Sequence, residues 1–443
     1  MRSWPVGLLL PFVVVLGACG HSTVSGIPLR TPSGFRVQPE IADPGCNGGH
    51  GIQFSSGLGD SIVASSLMPD STTLIALTSI YPAKRFAVLD SITPSCTRSP
   101  GFGTNGVSRI GLPRQLRASA AHRQPLLGSG FWIETIVPRD DGGAIMTGTL
   151  GGQWLVVELT ASGVVDRHFG RGGWALLPFR GDVTAVMQEP SGRIVVAGDN
   201  GGGGCCTLTW AAALTATGRL DRRFGVRGRE ELPTGGDSGV ESLAREPNGS
   251  ILAKIDYGNM GCSGVGLAML TPGGRPVPGF AERLNRFWGK LDFGAFTGDV
   301  YVDGAGFTLV GTGERPCAEA LKRSPPSLDG VVAHFRSDGR LVGEPGRFTS
   351  RAFEYQVLRD RAGTLVVTSP YASLAKLTLT VRRPDGSVDT GVATGGRAEV
   401  RESWRGRGPG VETVVLVGPA SDGTVVVLAW NSGAVLQLIR LRT

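Results

Sequence analysis

Short apolar runs, each opened by a glycine turn, recur along the chain at nearly constant spacing. Gly192 opens "GRIVVAG", Gly249 "GSILAKI", Gly306 "GFTLVGT", Gly363 "GTLVVTS" and Gly423 "GTVVVLA", at intervals of 57, 57, 57 and 60 residues. A fixed period of this length marks a repeat architecture whose units share one continuous core. One unit is clearest between Phe169 and Gly218. "FGRGGWALLPF" predicts a tight turn and a strand, "DVTAVMQEP" a second strand, "SGRIVVAGD" a turn and a third, and "LTWAAALTATGRLD" a fourth. The runs are rich in Val, Ile, Leu and Trp and are bounded by Gly, Pro, Asp and Ser, which is strand composition with turn punctuation. Helical composition is confined to 281–291 and 317–322. Four short antiparallel strands per unit predict a β-propeller blade. Seven hairpins are expected, near Asp70-Ser71, Asp141-Gly142, Ser191-Gly192, Asn248-Gly249, Ala305-Gly306, Ala362-Gly363 and Asp422-Gly423. The fold class is therefore all-β, a seven-bladed propeller of four-stranded antiparallel blades over 46–443. Closure removes sheet edges that would otherwise pair with other chains. The C-terminal "AVLQLIRLRT" resembles a fourth strand and "CNGGHGIQF" resembles the opening "FGRGGWALL", so the last blade is expected to be completed from both ends.

A second motif accompanies the hairpins. "GVVDRHFGRGG" at 163–173 recurs as "GRLDRRFGVRG" at 218–228, and "PGFGTNG" at 100–106 repeats its second half. Asp166 and Asp221, like Phe169 and Phe224, are 55 residues apart. Together with Pro190–Gly198 and Pro247–Leu252, this resembles the bacterial delta-60 repeat family, whose units pair an "LDxxFGxxG" segment with a "PDGKIVVAG"-like hairpin. The match is good over 161–255. Elsewhere it weakens: Gly274 and Phe280 survive without the aspartate, 338–346 loses the Phe-Gly pair, and 384–391 keeps only the first half. The resemblance implies a propeller and no catalytic residues, because the motif is structural.

The N-terminus has targeting character. Arg2 precedes an apolar stretch from Val6 to Leu16, too short to span a bilayer as a stable helix. It ends in Leu16-Gly17-Ala18-Cys19, which resembles the bacterial lipobox. That resemblance implies a signal peptide over 1–18, cleavage before Cys19, and acylation of its thiol. Two or more acyl chains anchor stably where one is marginal. The lipidated N-terminus and a Ser/Pro/Gly/Thr-rich tether are expected over 19–45. The expected location is the extracytoplasmic face of the cell membrane.

Six further cysteines, Cys46, Cys96, Cys205, Cys206, Cys262 and Cys317, form an even set, as in exported disulfide proteins. Cys46 and Cys96 precede glycine turns of successive blades and are expected to pair. The others occupy the same loop of consecutive blades. Cys262 is expected to bond one of Cys205 and Cys206, with Cys317 taking the other or staying free; a vicinal Cys205–Cys206 bond is the alternative. No CxxC spacing is present, so no zinc site is expected.

Composition narrows the function without naming it. The chain is 41% hydrophobic and 18% charged, enough to bury a core, and its formal charge of +7 is spread over isolated arginines rather than a nucleic-acid arm. Gly106 and Gly142 lie 36 residues apart where Gly173 and Gly192 lie 19 apart, so the second blade carries an insertion with Arg114, Arg117, His122 and Arg123 beside Phe131 and Trp132. This loop could meet an anionic wall polymer or lipid head group, or it is a solvated excursion with its aromatics in the core. The five histidines form no HxH or HExxH pair, and no GxSxG elbow occurs. No metal, cofactor or catalytic residue is expected. The expected function is a lipid-anchored, monomeric binding or scaffold module at the envelope, whose partner is an envelope protein or wall polymer and not nucleic acid. The alternative is a propeller enzyme, a quinone- or metal-dependent oxidoreductase or a hydrolase, with its site at the channel mouth.

Overall fold

The computed structural model describes residues 29–30, 35–37, 46, 52–55, 60–79, 86–113, 116, 131–200, 207–233, 237–259, 262–291, 295–302, 304, 306–314, 328–350, 356–359, 365–369, 376–383, 387–391, 396–402, 411–419, 424–431 and 435–442. Strands dominate these residues. Three short ones come first: β1 (Leu29–Arg30), β2 (Phe35–Val37) and β3 (Ile52–Ser55). An antiparallel sheet then follows in chain order, β4 (Asp60–Leu67), β5 (Thr73–Ser79), β6 (Phe86–Ile92) and β7 (Val107–Gly111). The next is β8 (Phe131–Pro138), β9 (Ala144–Leu150), β10 (Gln153–Leu159) and β11 (Trp174–Arg180). The third is β12 (Val183–Gln188), β13 (Ile194–Asp199), β14 (Thr209–Leu214) and β15 (Arg229–Glu231).

A seven-stranded sheet comes next. Its first part is β16 (Asp237–Arg245), β17 (Ile251–Asn259) and β18 (Cys262–Leu270). Its second part is β19 (Ala295–Val302), β20 (Gly306–Glu314), β21 (Leu328–Arg336) and β22 (Gly346–Ser350). The two parts are antiparallel within themselves and meet through the parallel pair Gly264↔Phe296. Then come β23 (Gln356–Arg359), β24 (Leu365–Ser369), β25 (Lys376–Arg382) and β26 (Arg397–Glu402), with β2 added beyond β26. The chain ends with β27 (Val411–Pro419), β28 (Thr424–Asn431) and β29 (Val435–Arg442), extended by β3 and β1. Residues 29–30 and 35–37, within the stretch expected to be a tether, thus cover the outer edges of two sheets.

The first strand of each group lies against the first strand of the next: β4 on β8, β8 on β12, β12 on β16, β16 on β19, β19 on β23, β23 on β27, and β27 back on β4. The arrangement is all-β and propeller-like, with these strands innermost. Chain end and chain beginning meet where β29 pairs with β3, from Val435↔Ser55 to Leu438↔Ile52. Arg440 Nη1 crosses to donate to the Ser71 carbonyl at 3.2 Å.

Cores lie between neighbouring sheets. Trp154, Val156 and Phe169 interleave with Val183, Ile194 and Val196 across one junction. Ala185, Val195 and Ala197 meet Val240, Ile251 and Ile255 across the next. The inner three strands read as almost continuous apolar runs because both faces are covered, as in β9, where every residue is buried.

Two expectations are adjusted. After β18 a helix, Phe280–Leu291, stands where a fourth strand would. Phe280, Leu284 and Phe287, at i, i+4 and i+7, turn one face onto Phe307 and Phe335, with Phe287 edge-on to Phe335 at 5.0 Å. Turn chemistry matches at Ser71, Gly142, Gly192 and Gly249, whose φ values lie between 65° and 86°. In the fifth hairpin the left-handed residue is Gly304 (φ 81°), and Gly306 already belongs to β20. The sixth and seventh expected hairpins, and the helical stretch 317–322, lie outside the described residues.

One joint repeats between sheets, and it explains the Phe-Gly motif. Phe102, Phe169, Phe224 and Phe280 are all buried. Each packs on a left-handed glycine in the turn before the last strand or helix of the following group. A Cβ added at Gly163 would sit 2.5 Å from the Phe102 ring, at Gly218 2.9 Å from Phe169, at Gly274 2.6 Å from Phe224 and at Gly339 2.9 Å from Phe280. No side chain fits there, so glycine is required by both φ and space. A backbone bond accompanies the joint: Gly103 N donates to Ser162 O, Gly170 N to Thr217 O and Gly225 N to Gly273 O. At the meeting of chain beginning and end, Cys96 occupies the turn position with φ 59°, and its N–H donates to Thr93 O as Gly163 does to Thr160 O. Its partner is Cys46, to which it is joined by a disulfide with Cα atoms 4.9 Å apart.

Candidate functional site

The inner strands carry a shared irregularity. On β4, β8, β12 and β16 the pairing slips by one residue, leaving Val63, Glu134, Thr184 and Glu241 outside the ladder. Each lies eight residues before the left-handed turn residue, Ser71, Gly142, Gly192 or Gly249. The same slip on β27 leaves out Glu412. A bulge at a fixed place re-aims one side chain and increases local twist. Here it repeats around the inner ring, and the residue type it presents varies from sheet to sheet.

The re-aimed side chains fall into two environments. Thr184 Oγ1 donates to the Val240 carbonyl on β16, so that bulge serves as a clasp. Glu134 is held among acids. Burial pushes its carboxyl up to about 7, and Asp182 and Asp199 add to the shift. Asp182 is itself raised, by burial and then by Asp199. Those aspartates flank the third sheet: Asp199 N donates to Asp182 O at 3.0 Å, and Trp154 Nε1 from the second sheet donates to Asp199 O at 3.2 Å.

Glu241 belongs to a mixed cluster. Its Oε2 lies 2.6 Å from Lys254 Nζ, whose other partner is Asp299 Oδ1 at 3.5 Å, on β19. The Lys254 side chain is 2% exposed and that of Glu241 41%, so the cation is enclosed and one anion reaches solvent. Surrounding protein raises the Glu241 carboxyl to about 7, Lys254 opposes that rise, and Asp256 reinforces it. Burial pulls the Lys254 ammonium down, but Asp299 and Glu241 outweigh it and hold it above the ordinary lysine range. A buried ammonium needs such partners, because unpaired burial costs several kcal/mol.

The inner ring thus holds two carboxyls that burial pushes up to about 7, and one ion-pair cluster that joins the two parts of the seven-stranded sheet. Among the described residues no group of three or more His, Cys, Asp and Glu side chains could hold a metal. Thr308 Oγ1 and His334 Nδ1 are 2.7 Å apart, but Thr308 is fully buried and no substrate reaches its hydroxyl.

The residues singled out in the sequence are scattered. Phe131 is buried and meets Trp174 edge-on at 5.6 Å, and Trp132 is half-buried on the same strand. Arg114, Arg117, His122 and Arg123 lie outside the described residues, as do Cys19, Cys205, Cys206 and Cys317. Cys262 opens β18, its backbone paired with Asn259. Sequence reading passed over Glu134, Asp182, Glu241, Lys254 and Asp299. For Glu134 and Glu241 the available signal was a glutamate eight positions before a hairpin glycine.

No family model matches the chain, and no curated protein matches it in sequence. Among solved structures it is similar to Kuenenia stuttgartiensis hydrazine synthase, at 12% identity and TM-score 0.48, over 86% of this chain and 95% of that one. It is also similar to the polysaccharide lyase Uly1, at 9% and 0.46, over 86% and 89%. Drosophila Plexin A, solved with Semaphorin 1b, matches at 11% and 0.39, over 88% and 86%. At these identities and scores the likenesses say nothing of what the chain does.

Proposed function

We propose that this protein is a lipid-anchored, extracytoplasmic seven-bladed β-propeller of the delta-60 repeat type, acting as a binding or scaffold module at the cell envelope. The observation that carries this is the Cys46–Cys96 disulfide downstream of Leu16-Gly17-Ala18-Cys19. A disulfide belongs to an oxidising compartment, and the lipobox-like sequence supplies a route there. The blade count follows if the seven-stranded sheet is divided at its parallel Gly264↔Phe296 pair, which makes one blade of β16–β18 with the helix and one of β19–β22. The partner is an envelope protein or an anionic wall polymer. Capture of the protein from its own envelope tests this: a specific partner is expected, and a purified protein that carries a quinone or metal and recovers no partner would refute it.

A second reading, a hydrolase with its site on the inner ring, has one observation in favour. Glu134 is held near pH 7, the range suited to a general acid or base. Glu134→Gln separates the two: partner capture is expected to persist unchanged, whereas loss of a turnover detected in the wild-type protein would support the enzyme.

A further inference from the structure

We infer that the rim built from the Phe-Gly loops and the turns they grip is the face this protein lays against an anionic lipid bilayer. The inference rests on the lipid anchor proposed at Cys19. The rim is continuous across the sheets. The loop at Gly103 bonds to Ser162, the loop at Gly170 to Thr217, and the loop at Gly225 to Gly273. Segments 160–173 and 215–228 therefore lie side by side, and together they hold six arginines against two aspartates.

The six, Arg167, Arg171, Arg219, Arg222, Arg223 and Arg227, are all exposed. The two aspartates are half-buried and engaged instead. Asp166 Oδ1 accepts from His168 N and Asp221 Oδ1 from Arg223 N, and Arg139 and Arg193, from the hairpin turns of the same sheets, lie 3.9 Å from their carboxylates. The rim arginines are thus left to face outward. Between them stand Val164, 56% exposed, and Val226, 53% exposed. Cations interleaved with exposed apolar side chains suit a bilayer interface, where head groups meet the charges and acyl carbons meet the valines.

The anchor enters at the outer edge of the last sheet. Cys96 takes the position that Gly163 and Gly218 take in the next two sheets, so the Cys46–Cys96 bond lies in the same belt. Leu29, paired to Phe54 at the outer edge of the last sheet, is ten residues beyond Cys19. Ten residues span at most about 35 Å. Acyl chains on Cys19 therefore hold this edge of the molecule close to the membrane.

The test uses the full-length protein reconstituted into vesicles of phosphatidylcholine alone or with phosphatidylglycerol added. Arginines are labelled with phenylglyoxal and read by peptide mass spectrometry, and the Cys19 peptide is weighed in the same digest. Arg222, Arg223 and Arg227 are expected to react about fivefold or more slowly when phosphatidylglycerol is present, the weight of one arginine at an anionic surface. Arg180, exposed at the opposite end of β10 and β11, is expected to react equally in both. The triple variant Arg222→Glu/Arg223→Glu/Arg227→Glu is expected to lose the protection of Arg167 and Arg171. Equal labelling in both vesicles, or undiminished protection in the triple variant, would overturn the inference. So would protection by soluble polyphosphate over phosphatidylcholine vesicles, which would indicate a polyanion rather than a bilayer. An unmodified Cys19 with protection intact would remove the anchor and uphold the rim.

Discussion

The joint between the second and third sheets and the joint where the ring's two ends meet share a left-handed turn residue and differ in chemistry. In the first, Phe169 lies on Gly218, whose φ of 76° and lack of a side chain make the seat. In the second, Cys46 and Cys96 stand in the corresponding places and are covalently bonded. Phe169 and Gly218 are 49 residues apart and Cys46 and Cys96 are 50 apart, so the two joints close loops of nearly equal length. The second fixes β3, which pairs with β29 from the far end of the chain, to the first sheet, and it too closes a loop against chain entropy. A cross-link acts on that entropy, whereas an aromatic contact contributes only its buried surface. The comparison teaches that the repeat specifies a joint rather than a residue, and that the seam uses a covalent fastening in the same place.

The largest effect is expected at the aromatic joint. Phe169→Ala removes a fully buried ring, and calorimetry or denaturant unfolding should show a loss of about 3–5 kcal/mol. Breaking the seam by Cys46→Ser should cost about 2–5 kcal/mol, and the same loss should appear when the wild-type protein is reduced. A loss in the variant that reduction does not reproduce would mean that packing of Cys46, not the bond, matters. Away from both joints, Lys254→Met leaves Glu241 and Asp299 without their shared cation. Denaturant unfolding should show a loss of about 1–3 kcal/mol, below that for a fully buried pair because Glu241 reaches solvent.

The smallest effect is a pH dependence. Glu134 has its folded pKa raised to about 7 from 4.5, so the folded state binds the extra proton between those values. The contribution to stability is complete below about pH 4.5 and is lost as pH rises through about 7. The wild-type protein should lose about 1–2 kcal/mol more than Glu134→Gln between pH 5 and 8. Parallel profiles would show that Glu134 is not the titrating group.

Much of the fold was legible because its signals are local. Hairpin turns at Gly142, Gly192 and Gly249 need a left-handed residue, and the strands between them need unbroken apolar runs; both show in the sequence. The helix Phe280–Leu291 was visible as composition, but its role as substitute for a strand was not, since that depends on Phe307 and Phe335 more than fifteen residues downstream. The inner-ring charges were hidden for a related reason. Glu134 stands in a strand that otherwise reads as core and Glu241 in a mixed one, and in both a one-residue slip in pairing, invisible to periodicity, re-aims the glutamate. The Phe-Gly motif was recognised as structural, and packing explains why: the phenylalanine's seat lies in the next unit, roughly fifty to sixty residues on.

The equivalence of the two joints is tested most directly by exchanging one for the other. The double variant Cys46→Phe/Cys96→Gly installs the aromatic seat at the seam, at a position whose φ of 59° suits glycine. Its unfolding midpoint in reducing buffer should lie several degrees above that of Cys46→Ser/Cys96→Ser and be unchanged by oxidant. A midpoint no higher than that of the serine pair would show that the seam is not a copy of the joint between the second and third sheets.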